Sequence, residues 1–184
     1  MIYLKENPIG IDAVLQQVQQ GLYDNLQAIW GTELEAYGRS YLNEKNGKST
    51  IEAFIKDNDY SGNLIVGDKS KFFFLEQGYA VPNGLNRYTQ EIDVIFILDL
   101  SKCKPSIAHR ADAEVQADVE FELRKFSYLN LSIVSFATKI QNVFKEIRFR
   151  YMESLDFKYI DDMQPFHTFK FKINVAYEMQ QENC

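Results

Sequence analysis

Phe169, Phe171, Ile173, Val175 and Tyr177 alternate with Thr168, Lys170, Lys172, Asn174 and Ala176. Successive side chains of a strand leave on opposite faces, so this run predicts a strand with one buried and one wet face. A chain carrying such a strand must supply a layer to cover its apolar side. The segment around 10–30 offers one. Ile11, Val14, Leu15, Val18, Leu22, Leu26 and Ile29 recur three or four apart and form a single apolar helical stripe. Gly21 interrupts that stripe at a cost of up to ~1 kcal/mol relative to alanine.

Two further runs predict sheet. "KFFFLEQ" is short, and "YTQEIDVIFILDL" is longer. Ile92, Val94, Phe96, Leu98 and Leu100 share one face; Asp93, Ile95, Ile97 and Asp99 share the other, which is apolar in its middle. That pattern predicts a central strand covered on both sides. Between the runs, Pro82, Asn83 and Gly84 suit a turn in a long hairpin loop, "GYAVPNGLNR". Two helices are expected next. One carries Ala111, Val115, Val119, Leu123 and Phe126. The other carries Ile133, Phe136, Ala137, Ile140, Val143, Phe144 and Ile147, with Ser132 as N-cap. "LDFKY" reads as a further strand before the last one.

Residues 31–63 are less patterned. Thr32 followed by Glu35 fits a capping box, with Leu34, Tyr37 and Tyr41 lining a short helix. "NEKNGKST" reads as an exposed turn, and "IEAFI" is left open between helix and strand. The expectation is therefore a single α+β domain over 1–184, with 31–63 as an inserted arm or extension. Its sheet is antiparallel, of about four strands, with the N-terminal helix and two central helices packed on it.

The net charge of −6 argues against nonspecific nucleic-acid binding, which depends on Lys and Arg neutralising phosphates. Aromatic residues make up 14% of the chain, enough with the aliphatics to build a sizeable core. Cys103 and Cys184 form neither a metal motif nor a disulfide framework and read as reduced thiols. No stretch approaches the ~20 apolar residues that span a bilayer, and the start lacks the apolar run of a signal peptide. The expectation is a soluble chain made inside a cell, with no membrane partner.

Residue chemistry points to no reaction. Gly62, Gly67, Lys69 and Ser70 resemble a broken phosphate loop. Asp68, however, separates the second glycine from the lysine, and strand-like residues follow where a helix N-terminus is required. A turn between two extended pieces is the better reading. His109 and Asp112 have an H-x-x-D spacing but read as a loop end beside helix-start carboxylates; His167 reads as an edge or surface residue. No catalytic, cofactor-binding or metal-ligating residue is assigned. Two alternatives remain. Arg148, Phe149, Arg150, Tyr151 and Lys158 interleave bases and aromatics as a single-strand nucleic-acid platform does. Asp161 and Asp162, or the acidic helix, would supply a carboxylate site for a small-molecule enzyme.

The order of elements resembles the tail terminator and neck-ring proteins of tailed bacteriophages. The resemblance lies in "IGIDAVLQQVQQGLYDNLQAI", the hairpin ending in "QEIDVIFILDL", the intervening helices and "HTFKFKINVAYEM". It covers most of residues 9–178 as a pattern of elements. The length of 31–63 and the second helix before the final strands depart from that pattern. The resemblance implies a virion structural protein, made in the host cytoplasm. Copies would form a homo-oligomeric ring at the head–tail junction or tail end, between portal, neck or tail proteins, with DNA passing through unbound. Tyr79, Val81, Pro82, Leu85 and Tyr88 are then the candidate subunit contacts, with folding of this loop back on its own core as the alternative. Asp112, Glu114, Asp118, Glu120 and Glu122 are the candidate channel wall, since like charge repels passing DNA.

Overall fold

A computed structural model describes residues 1–45, 48–57, 59–61, 69–107, 110–135 and 165–179. Helix α1 (Ile11–Trp30) packs on a sheet of strands β1 (Glu35–Lys45), β2 (Lys48–Lys56), β3 (Asp59–Ser61), β4 (Lys71–Pro82), β5 (Arg87–Asp99), β6 (Leu131–Ser135) and β7 (Phe166–Glu178). Between β5 and β6 lie a short helix α2 (Leu100–Cys103), helix α3 (Asp112–Arg124) and a 3-10 turn (Lys125–Leu129). Among the described residues the sheet has seven strands in the order β3-β2-β1-β4-β5-β7-β6. The α+β class expected from sequence holds. The sheet is larger than expected and mixed, because β1 runs parallel to β4 while the other pairs are antiparallel.

Helix α1 forms where its apolar stripe predicts. Ile11, Leu15, Val18, Leu22 and Leu26 are buried, and Trp30 rather than Ile29 completes the stripe. Gly31 ends the helix in a left-handed conformation, its N–H donating to the Gln27 carbonyl at 2.8 Å. Gly21 has a packing reason. A Cβ there would meet the Phe126 ring at 2.5 Å, so the glycine lets the 3-10 turn after α3 press against α1.

β5 is central, as its two-sided pattern predicts. Its helix-facing residues Ile92, Val94, Phe96 and Leu98 join Phe72 and Phe74 of β4 and Phe169, Phe171, Ile173 and Val175 of β7 in one core. Register places Phe72, Phe96 and Phe169 side by side on three strands. Their rings stack at 5.3 and 5.1 Å, a cross-strand row that helps fix the pairing. On the opposite face Tyr37, Ile51, Ala53, Phe73, Leu75 and Ile95 form a second cluster.

Several expectations fail here. Residues 35–45 are strand β1, not a capped helix. Tyr37 stacks on Tyr3 at 4.6 Å, and the chain's first residues bond to the start of β1, so tertiary pairing overrides local capping. "IEAFI", which the sequence leaves open, lies within strand β2, and β1, β2 and β3 share one sheet with β4 to β7. Ser132 lies inside strand β6 rather than capping a helix. Ile133, the first residue of that expected helix stripe, is in β6 too; the rest of the stripe, Phe136 to Ile147, and the "LDFKY" strand lie outside the described residues. The polar side of β7 is not wet throughout: Thr168 is buried, and Lys170 pairs with the buried Asp93 of β5 at 2.8 Å. His167 is wholly buried. It stacks on Phe169, and its ring nitrogens lie 2.9 Å from Gln116 Nε2 and 3.3 Å from Arg110 Nη2.

Candidate interaction surface

The β4–β5 hairpin ends in an exposed turn, and β7 stays paired with β5 as far as Arg87↔Glu178. β4 and β5 pair without interruption from Lys71↔Ile97 to Gln77↔Glu91, and pairing resumes at Val81↔Thr89. Gly78, Tyr79 and Ala80 therefore face Gln90 alone, which makes a bulge. Gly78 takes φ 72°, a value glycine adopts without strain, and the buried Gln90 side chain donates to its carbonyl at 3.4 Å. The bulge turns Tyr79 outward until it is 96% exposed. Beyond it, the Asn83 N–H donates to the Arg87 carbonyl at 2.8 Å, while Gly84 and Asn86 take positive φ. That closes the turn which Pro82, Asn83 and Gly84 announce in the sequence.

Of the five expected contact residues, Tyr79, Val81, Pro82 and Leu85 are exposed, Leu85 to 91%. Tyr88 is half-buried and stacks on Tyr177 of its own chain at 5.8 Å. The strands also run further toward the tip than the predicted loop allows. Single exposed apolar residues are ordinary, but here four fall within the stretch 79–85 at one hairpin end. Beside the turn end of the hairpin lies a groove of about 410 Å³, lined in part by Val14, Arg87, Tyr88, Tyr128, Leu129 and Tyr177. Tyr128 is 71% exposed there. Nothing in the local sequence marks this groove, because its walls come from α1, the 3-10 turn, β5 and β7.

The acidic helix is less acidic in space than in sequence. Asp118 turns toward α1, where its Oδ2 accepts from Trp30 Nε1 at 2.7 Å and pairs with Lys104 at 2.6 Å. Glu122 is buried, accepting from Asn25 Nδ2 at 2.7 Å and pairing with Lys125 at 2.6 Å. Asp112 lies 3.5 Å from Arg110, and Glu120 lies 2.6 Å from Arg124. The five carboxylates thus do not form one bare strip. Asp118 and Glu122 join α3 to α1 through polar contacts that helical spacing alone does not reveal.

A second polar cluster went unnoticed in the sequence. Asp12 pairs with Lys5 at 3.0 Å and with Arg39 at 2.9 Å, and Arg39 reaches Glu76 at 2.7 Å. Burial alone would lower the Lys5 pKa, but the Asp12 hydrogen bond and charge outweigh it and leave it raised. Arg39 is likewise desolvated yet raised, first by Asp12. On the second face, burial and then the Glu35 charge push the Tyr37 phenol well above its usual range.

Among the described residues, the reactive groups singled out in the sequence have structural surroundings. Lys69 and Ser70 of the apparent phosphate loop have structural partners. Lys69 lies 3.8 Å from Glu33, and Ser70 Oγ accepts from the Asp99 N–H at 2.9 Å. Residues 62–68, His109, Cys184, the Arg148–Lys158 stretch and Asp161–Asp162 lie outside the described residues. Burial pushes the Cys103 thiol up to about 11, against a small lowering from its Ser70 contact, which leaves it protonated at neutral pH. Among the described residues no three His, Cys, Asp or Glu side chains gather to hold a metal ion, and no helix is long and apolar enough to cross a membrane. In comparisons with known proteins, no family model, curated protein or solved structure matches the chain.

Proposed function

We propose that this protein is a virion structural subunit. Copies of it assemble into a ring at the head–tail junction or tail end of a tailed phage, around a DNA channel and without catalysis. The exposed apolar hairpin tip carries the reading: Tyr79, Val81, Pro82 and Leu85 are exposed at the end of a hairpin whose root lies in the core. Large side chains on a preorganised support bind a neighbour without first having to be ordered, which is how a few anchors come to dominate an interface. A head-to-tail contact of this kind closes into a ring when its rotation allows. Within the proposal, the outer part of α3 with Asp112, Glu114 and Glu120 remains the channel-wall candidate. The location is the virion, after synthesis in the host cytoplasm.

The test is the mass of the purified chain by light scattering, with electron microscopy of the same sample. A ring-sized oligomer is expected. A double substitution, Tyr79→Ser with Leu85→Ser, should give a folded monomer. A wild-type chain that stays monomeric and binds single-stranded oligonucleotide would overturn the proposal in favour of the nucleic-acid reading.

A further inference from the structure

Where the chain's first residues, α1 and β1 meet, a cavity of about 10 Å³ is lined by Tyr3, Lys5, Asp12, Gln16, Gln19, Gly38, Arg39 and Phe54. Two of the lining residues, Gln19 and Arg39, each carry a buried polar atom without a hydrogen-bond partner, one an acceptor and one a donor. Gln19 is fully buried. Its Nε2 donates to the carbonyls of Tyr3 and Ala36, both at 2.9 Å, while its Oε1 has no hydrogen-bond partner in the protein. Arg39 Nε lies 2.9 Å from Asp12 Oδ1, an ion-pair distance, but makes no directed hydrogen bond and is also unpartnered. A buried acceptor and a buried donor left unmade each cost ~1–3 kcal/mol, so two on residues lining one small cavity need a shared partner.

The charges identify its class. Lys5 and Arg39 balance Asp12 and Glu76 through the pairs already described, so neither a cation nor an anion finds a net countercharge. A space of ~10–15 Å³ is about the least that holds a water, which leaves little room for a bulkier guest, and a water needs two to four polar partners. Gly38 keeps the space open. A Cβ built there would lie 3.2 Å from Gln19 Oε1, tighter than an ordinary contact. We propose that this cavity is a binding site for one structural water, which accepts from Arg39 Nε and donates to Gln19 Oε1. It fastens the N-terminal segment and α1 to β1. The site is independent of any ring.

A high-resolution crystal structure of the full chain should show a density peak within hydrogen-bond reach of both atoms, with no anomalous signal. Magnetic relaxation dispersion of labelled water should count one more long-lived internal water in the wild type than in Gly38→Ala or Gln19→Met. Absence of the peak, an anomalous signal marking an ion, or equal water counts in folded wild type and folded Gly38→Ala would overturn it. If neither variant folds, the wild-type density decides alone.

Discussion

Between Lys71 and Leu75, β4 is buried on both faces; a short way along the same strand, Tyr79 and Val81 stand in solvent. The root and the tip of one hairpin share the same two strands, and both carry large apolar side chains. They differ in what lies above them. At the root, the helix layer covers Phe72 and Phe74, while Phe73 and Leu75 join the second cluster. At the tip, the bulge at Gly78–Ala80 breaks the pairing just where the residues become exposed. Apolar content alone therefore does not say whether a strand builds a core or an interface; coverage does.

Phe96→Ala at the root should have the largest effect, ~3–5 kcal/mol of lost stability in a denaturant titration, because it empties the middle of the Phe72–Phe96–Phe169 row. A loss below ~1 kcal/mol would mean the row does not hold the root. Gly21→Ala comes next. Helix propensity favours it, but the Phe126 ring occupies the space a methyl would take. Overpacking of ~1–3 kcal/mol should win, and a more stable variant would show that the helix layer over the root is loosely fitted. Gly78→Ala tests the boundary. Its positive φ predicts a loss of ~1–2 kcal/mol, smaller than at the root.

Alkali probes the second face of the sheet. Tyr37 has a phenol pKa raised above 10.0 by burial first and the Glu35 charge second. Tyr41, which lies under Arg39 and Lys5 rather than in the second cluster, is raised by burial against the lowering charge of Arg39. The folded state holds these protons where the unfolded chain has released them. The stability they contribute is complete below pH 10 and falls as pH rises past it. Denaturant midpoints measured from pH 8 to 11 should drop at the alkaline end, and less steeply in Tyr37→Phe. At the tip, Tyr79→Ser with Leu85→Ser should change monomer stability by no more than ~0.5 kcal/mol, as for surface positions generally. A large loss there would place the tip in the core and erase the contrast.

Legibility in the sequence followed the range of the interactions. The stripe of α1, both faces of β5, the apolar side of β7 and the turn at Pro82–Gly84 were readable, because each is a periodicity or a turn preference within a few residues. β1 was not. Thr32 and Glu35 mimic a helix cap, and what makes 35–45 a strand is pairing with β2 and β4 and with the chain's first residues. Of the interface candidates, Tyr79, Val81, Pro82 and Leu85 were visible as an apolar loop. That Tyr88 turns back onto Tyr177, and that Asp118 and Glu122 face α1, depended on partners distant in sequence.

The sequence alone determined which residues are apolar, at what period, and hence that helices must cover a sheet in an α+β domain. Tertiary structure decided strand order, the parallel β1–β4 pairing, the burial of His167 and the separation of an exposed tip from a covered root. The physical reason is that periodicity selects the face of an element, whereas burial, ion pairing and backbone pairing are settled only when distant segments meet.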